Sequence, residues 1–467
     1  METTNEPAEA PAAPPAGMAT EDPPRVSGGW PLIGHLLEFR RSPVDLFWRV
    51  RNECGDVGEF DLAGTDVVLL TGEDAQQTFF RGSDEQLDQA AAYPFMTPIF
   101  GEGVVFDGTP EERRQAMKTQ SLRDKFMRGH AETIAREVRR MEEKLGDGGE
   151  IDALDFFSEL TLYTSTACLI GKNFREEISA DWVPIFYDLE LGTDPLAYVN
   201  AYLPLRAFRA RDRARRELVR RIGEVLERRS DAPKEERELF DILLTLRNPD
   251  GTQQFDVDKL TGIFISTMFA GHHTTSGTAA WSLIEILRNP GYGERVIAEV
   301  DALHEAGGDI TYHALREIPV LENAIKEALR LHPPLIVVMR KVMEDLECGR
   351  FRIPAGKTVA ASLAVSNRMP ECFPDPDRYD PDRYAEGRAE DRQPFAWVPF
   401  GAGQHRCVGA AFAMMQIKAI LGVLLRDYTF ELAQAPETYA ADHSKMVVQM
   451  KHPCRLRYRR REHGATS

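Results

Sequence analysis

The chain has 467 residues, of which 43% are hydrophobic and 28% charged, and 57 basic against 74 acidic residues leave a formal net charge of −17. That composition suits a globular protein with a sizeable core, and the charge argues against nucleic acid or anionic lipid as the main partner. The six cysteines (Cys54, Cys168, Cys348, Cys372, Cys407 and Cys454) form no C-x-x-C pair. A dense zinc or iron–sulfur motif and a disulfide scaffold are therefore not expected, and a reducing compartment is.

The first residues, M-E-T-T-N-E, lack the basic start and apolar core of a signal peptide. No run of about 18 apolar residues occurs, so no membrane span is expected and the chain reads as soluble and cytoplasmic. Residues 1–24 are rich in Pro, Ala and Glu and predict a disordered tail.

A turn at Gly28 to His35 leads to the apolar-spaced segment Val44 to Cys54, and two short strands around Phe60–Gly64 and Val67–Leu70 meet at a glycine turn. Glu73 to Phe80 suits a short helix. Tyr93 to Phe106 reads Y-P-F-M-T-P-I-F-G-E-G-V-V-F. Its prolines and glycines exclude a long regular element. It is either an ordinary buried loop or the wall of an apolar pocket.

Thr109-Pro110 opens another helix, with proline at its first position. Arg113 and Arg114 follow, as solvated charges or as donors to a carboxylate-bearing cofactor. Further helices are expected over His130–Leu145, Ile151–Ile170, Trp182–Leu189 and Leu205–Arg229. The arginine-dense last of these reads as a solvated face.

Val257 to Leu287 is the longest helical pattern, mostly apolar, with Ala270-Gly271-His272-His273-Thr274-Thr275 in its middle. Consecutive polar groups in a buried helix need partners. Small Ala270 and Gly271 admit a flat group close to the backbone, and the Thr274 hydroxyl can bend the helix or face a ligand. The histidines are adjacent, so they do not share a face, and no third zinc ligand stands at familiar spacing. His272 reads first as a satisfied core histidine.

Asn323 to Leu331 is a helix with Glu327 and Arg330 three apart, closed by Pro333-Pro334. Leu335–Met339 predicts a short strand ending at Arg340, and Phe351–Val359 predicts two strands joined by a proline–glycine turn. Pro370 to Tyr384 is a long irregular stretch that needs fixing contacts. Tyr428–Leu432 and Ser444–Tyr458 are terminal strands. The fold class is mainly α with smaller β regions.

Between them lies Phe400 to Gly409, F-G-A-G-Q-H-R-C-V-G, before a helix-forming run from Ala410 to Leu425. A cysteine ahead of a helix start meets favourable amides, and Arg406 and His405 add donors. Taken alone, Cys407 is either a reactive thiolate or a loop cysteine without a role.

Phe400, Gly403, Cys407 and Gly409 resemble the F-x-x-G-x-x-x-C-x-G signature of the cytochrome P450 family. Glu327-Ala328-Leu329-Arg330 matches its E-x-x-R motif, and Pro381-Asp382-Arg383-Tyr384 resembles its P-E-R-F element. The resemblance covers roughly residues 28 to 460. It implies a cytochrome P450 fold in one catalytic domain, 25–460, with a C-terminal tail at 461–467. It implies haem b (iron protoporphyrin IX) with Cys407 as thiolate ligand, a ligand type that favours O–O cleavage. Phe400, Gly401 and Gly409 would line the haem, and Tyr93, Arg114, Arg340 and His405 would meet its propionates. Glu327, Arg330 and Arg383 would form a buried supporting charge network.

His273 stands where the family usually has an acid. That and the Tyr93 loop resemble the sterol 14α-demethylase branch, bacterial soluble type. The branch oxidises a sterol 14α-methyl in three steps, through alcohol and aldehyde to formate, leaving a 14,15 double bond. His273 and Thr274 would then deliver protons to the haem face. Tyr93, Phe95, Met96, Phe100, Phe106, Met268, Ala270, Leu335, Met446 and Val447 would contact the sterol, and an aromatic Phe95 implies a C4-monomethylated one. Azoles would ligate the iron. Electrons would come from NAD(P)H through an external ferredoxin and its reductase, docking near Arg123, Arg406 and Lys418. The rival readings are a monooxygenase of another steroid, terpenoid or lipid, and a non-catalytic haem protein that binds or senses a hydrophobe.

Overall fold

A computed structural model of the chain describes residues 21–105, 124–229, 238–248, 250–305 and 310–462. Phe106, Arg114 and Arg123 lie outside these residues. The chain is already held at the end of the expected disordered tail: the Glu59 amide donates to Pro24 O at 2.8 Å, and Glu21 bridges to Phe351.

Helix α1 (Pro43–Cys54) precedes the hairpin β1 (Val57–Leu62) and β2 (Thr65–Leu70), then α2 (Glu73–Arg81) and the short β3 (Leu87–Asp88). From there the chain is mostly helical: α3 (Asp124–Leu145), α4 (Ala153–Ser165), α5 (Val183–Glu190) and α6 (Arg206–Arg228). The helix expected from Ile151 starts two residues later. Ile151 and Asp152 belong to strand β4 (Gly148–Asp152), and the Asp152 carboxylate caps α4 by accepting from Leu154 N and Asp155 N.

The long central helix runs as α7 (Val257–Met268), a π-helical turn over Phe269–His273, and α8 (Thr274–Arg288). Such a turn inside an α-helix commonly marks a functional position. Helices α9 (Pro290–Glu305) and α10 (Pro319–Leu331) follow, and α11 (Ala410–Asp427) comes late. Helix α8 packs against α4, α10 and α11, which sets the central helix in the middle of the helical half.

The smaller β half holds β5 (Val338–Val342), β6 (Leu346–Cys348), β7 (Phe351–Ile353), β8 (Thr358–Ala361), β9 (Tyr428–Leu432), β10 (Ala441–Asp442), β11 (Gln449–Met450) and β12 (Arg455–Arg460). One sheet runs β1-β2-β8-β5-β3, and only its β2–β8 pair is parallel. A second runs β4-β12-β9, and two-stranded sheets pair β6 with β7 and β10 with β11. The two strands read in Phe351–Val359 are both present, but not as a hairpin. β7 pairs back to β6, whereas β8 joins β2 and β5. Every residue of β8 is buried, so it is an interior strand, and local turn chemistry does not choose its partner.

Tyr93 to Val105 holds one 3₁₀ turn (Pro94–Met96) and one helical turn (Thr97–Phe100). Tyr93, Phe95, Met96 and Phe100 share one buried apolar cluster with Met268 and Phe269. No helix among the described residues is long and apolar enough to cross a membrane.

Candidate active site

The Cys407 loop is shaped by its own backbone. Cys407 N donates to Phe400 O at 2.8 Å and Gly401 N to Val398 O at 2.9 Å, closing a tight turn. Gly401 and Gly403 hold φ of 64° and 66°, in the left-handed region. Gly403 also lies against α2, where an added Cβ would fall 1.9 Å from Phe80 O. Gln404 Nε2 donates to Gly82 O at 3.1 Å in the same corner. Cys407 itself is exposed, yet the protein crowded around its sulfur raises the thiol pKa. The Gly409 and Ala410 amides and the Arg406 charge oppose that rise and favour the thiolate.

A buried network braces this loop. Arg330 Nε and Nη2 donate to the two oxygens of Glu327, each at 2.8 Å, and Arg383 Nε reaches Glu327 Oε1 at 3.1 Å. All three side chains are at most 1% exposed. Arg383 also bonds Glu390, which sequence reasoning missed, at 2.9 Å. The departure to tyrosine at Tyr384 adds a donor: its hydroxyl bonds Glu327 Oε2 at 2.8 Å. Asp382 points away, to Arg295. Arg330 Nη1 donates to Asn367 O at 2.9 Å, and the Asn367 side-chain oxygen accepts from Val398 N at 3.1 Å. Val398 starts the Cys407 turn, so Asn367 joins network to loop. Each buried charge thus has its partners, the condition under which such a cluster is tolerated.

Above β5 the structure brings Tyr93 and Arg340 together. The Tyr93 hydroxyl accepts from Met339 N at 2.8 Å, and burial pushes its pKa up to about 12. Arg340 is 3% exposed and donates to Phe79 O at 2.7 Å and Gly82 O at 3.3 Å. Among the described residues no carboxylate forms an ion pair with it, and burial lowers its pKa. A buried cation with only carbonyl partners is suited to an incoming anion. His405 is otherwise engaged, with Nε2 2.6 Å from Asp84 Oδ1. Residues Phe79–Asp84 therefore anchor Arg340, His405 and the Cys407 loop together. An exposed cysteine in a glycine-shaped loop beside a buried arginine fits a haem with its propionates; the fit rests on Arg340 rather than on His405.

On the central helix, Ala270 is exposed between buried Phe269 and His272, so this face borders open space. Thr274 Oγ1 donates to Ala270 O at 2.7 Å across the π-turn. His272 is a core histidine satisfied on one side: its Nδ1 is 2.8 Å from Thr161 Oγ1 and its side chain is fully buried, but its Nε2 has no hydrogen-bond partner among the described residues. His273 differs. Its ring lies between Phe269 and Phe186, at 4.6 and 5.7 Å, and burial lowers its pKa to about 3. Its Nε2 stands 3.0 Å from Glu190 Oε1, without hydrogen-bond alignment. Glu190 is equally buried, and burial raises its pKa. Lys445 Nζ donates to Glu190 Oε2 at 2.9 Å. Gln449 Nε2 donates to His273 O at 3.3 Å.

Lys445 and Gln449 line a cavity of about 280 Å³ with Tyr187, Asp188, Asp442 and His452. Lys445, Glu190 and His273 thus stand in a row between that cavity and the middle of the central helix. Sequence reading missed Glu190 and Lys445. The available signal was an acid within the apolar helix V-P-I-F-Y-D-L-E.

Of the expected sterol contacts, Leu335 bridges Val447, and Met446 N donates to Thr193 Oγ1. Phe95 packs on Tyr198 with ring centroids 4.2 Å apart. A cavity of about 560 Å³, lined by Trp48, Trp281, His332 and Ile336 among others, includes none of those expected residues. Lys418 is not a surface contact: it is buried and bonds Glu322 at 2.5 Å. Arg406 is exposed beside Val408.

The "Cytochrome P450" family model matches residues 23–457. The chain is 55% identical over 447 residues to the "Sterol 14alpha-demethylase" of Mycolicibacterium vanbaalenii, covering 95% of this chain and 99% of that one. It is 35% identical to the "Sterol 14-demethylase" of Arabidopsis thaliana, covering 94% and 92%. Among solved structures, "Retinoic acid bound cyanobacterial CYP120A1" superposes with a TM-score of 0.81 at 22% identity, covering 94% and 99%.

Proposed function

Because the chain belongs to the cytochrome P450 family, and within it to the sterol 14α-demethylases, we propose that it removes the 14α-methyl group of a sterol. The observation that carries this is 55% identity across 95% of the chain, spanning both the cysteine loop and the central helix. The reaction is three successive oxidations, with loss of formate and a new 14,15 double bond.

Haem, when bound, supplies the oxidative chemistry and a site for dioxygen. Cys407 would be its thiolate ligand, with the Gly409 and Ala410 amides stabilising negative sulfur. Cys454 does not suit that role: it is fully buried, and its thiol donates to Asp152 Oδ1 at 3.0 Å. Arg340 and Tyr93 would hold one edge of the cofactor, and Arg114 is proposed for the same edge. Phe400, Gly401 and Gly409 would border its proximal face.

The remaining work is positioning and proton supply. Phe95, Met96, Phe100, Met268, Leu335, Met446 and Val447 offer apolar surface that excludes water from the sterol; Phe106 and Ala270 are proposed with them. Phe95 would favour a C4-monomethylated sterol. His273 is held neutral by burial, so it accepts a proton readily passed onward rather than stored. Glu190 and Lys445 would resupply it from the 280 Å³ cavity. The Thr274 hydroxyl, anchored on Ala270 O, would present the proton at the opened face.

Electrons come from NAD(P)H through a ferredoxin and reductase, with Arg406 as one docking contact; Arg123 is proposed beside it. Azole nitrogens would compete at the iron. The test is turnover of the haem-loaded protein with ferredoxin, reductase, NADPH and a panel of 14α-methyl sterols. Formate and the 14,15-unsaturated product are expected. Hydroxylation of another lipid without formate release from any sterol would overturn the reading.

A further inference from the structure

Away from the haem region, three side chains with metal-ligating atoms meet where β4, α4 and the start of β12 come together. Asp152, His452 and Cys454 each point one such atom into the same space, all within 4.8 Å of one another. Cys454 Sγ is 3.0 Å and His452 Nδ1 is 3.3 Å from the same oxygen, Asp152 Oδ1. With Zn–N and Zn–O of about 2.0–2.1 Å and Zn–S of about 2.3 Å, tetrahedral geometry puts neighbouring ligand atoms roughly 3.3–3.5 Å apart. Both distances to Asp152 Oδ1 lie near that spacing, and the sulfur and nitrogen lie within 4.8 Å of each other.

We infer that Asp152, His452 and Cys454 form a zinc site, with water as fourth ligand on the open side. Zinc would take the place of the thiol proton that now lies between Cys454 and Asp152. That proton leaves to solvent, and a thiolate and a carboxylate then balance the two charges of the ion. A mixed sulfur, nitrogen and oxygen set suits zinc.

The surroundings are those of a supported site. Leu154 N already donates to Cys454 Sγ at 3.4 Å, which favours a thiolate against the burial and the Asp152 carboxylate that raise the thiol pKa. The Asp152 carboxylate is fixed by the amides of Leu154 and Cys454. The His452 ring lies edge-on to Tyr187 at 6.2 Å, and its far nitrogen, Nε2, is 3.9 Å from Asp155 Oδ1. At 3.9 Å Asp155 is beyond hydrogen-bond reach of that nitrogen, so it supplies a nearby negative charge and no orienting bond. Cys454 is fully buried while His452 is nearly half exposed, so an ion enters from the histidine side. Two features act against a cation, the α4 N-terminus and Lys445, which repels a charge at His452.

The test uses untagged, haem-loaded protein, so that Cys407 is occupied. Zinc is titrated and dialysed, bound metal is counted, and the zinc-edge X-ray absorption is recorded. One zinc per chain with a single sulfur neighbour is expected, and His452→Ala should weaken binding at least tenfold. Cys454→Ser should remove the sulfur signal; if that variant does not fold, Asp152→Asn together with His452→Ala decides. No bound zinc, no sulfur neighbour, or unchanged affinity in His452→Ala would overturn the proposal. Because the readout is metal content, it is independent of whether the protein demethylates sterols.

Discussion

His273 Nε2 stands 3.0 Å from Glu190 Oε1 with both side chains buried, and Lys445 holds the other Glu190 oxygen. The pair joins the middle of the central helix to a cavity lined by Lys445 and His452. Glu190→Gln keeps the shape and removes the transferable proton. Since a positioned acid or base contributes about 10²–10⁴-fold, kcat should fall at least about tenfold while sterol binding stays the same. The solvent isotope effect should rise. An unchanged kcat and isotope effect would remove Glu190 from the proton route.

The same pair gives a signed pH dependence. Burial depresses the folded pKa of His273 to about 3. As pH falls below its ordinary value, the unfolded chain binds a proton that the folded chain refuses, so stability is lost, by at most about 1.4 kcal/mol per pH unit. The Glu190 pKa is raised in the folded state, so its contribution has the opposite sign: present at low pH and lost as pH rises through the folded value. Between about pH 3 and 6.5 His273→Gln should flatten the rise of Tm with pH, and Glu190→Gln should steepen it from the ordinary carboxylate value of about 4.3 upward. Equal slopes in all three proteins would contradict this.

Glu327 faces two buried arginines. Glu327→Ala leaves buried Arg330 without a carboxylate and Arg383 with Glu390 alone, which costs about 3–5 kcal/mol and should abolish haem-loaded protein. Tyr384→Phe removes one hydrogen bond to a charged group and should cost about 1.5–3 kcal/mol in urea unfolding, with haem retained. A neutral Tyr384→Phe would show that Glu327 is satisfied without it.

The two cysteines separate cleanly. Cys407→Ser should lose the thiolate-type band of the reduced carbon monoxide complex, and Cys454→Ser should keep it. The reverse result would move the ligand to Cys454.

Arg340 is a buried cation whose hydrogen-bond partners are carbonyls. In Arg340→Met the haem-free protein should melt at the same temperature or higher, because an uncompensated charge is gone. Haem affinity should fall about tenfold or more, as a charge-assisted contact worth about 1.5–3 kcal/mol is lost. A haem-free form that is strongly destabilised, with unchanged haem affinity, would make Arg340 purely structural.

The sequence by itself determined the parts whose chemistry is contiguous. The glycine turn around Cys407, the i,i+3 pair of Glu327 and Arg330 and the helix break at Pro333 each depend on neighbours a few residues away. The π-turn at Phe269–His273 was visible only as polar residues in an apolar helix. Tertiary structure decided which strands pair, since β8 joins β2 and β5 and leaves β7 aside. It also buried Lys418 against Glu322 and set Asn367 between the charge network and the cysteine loop. Above all it brought Glu190 and Lys445, 255 residues apart, to His273. Burial is a property of the packed chain, and it is burial that shifts the His273 and Glu190 pKa values in opposite directions.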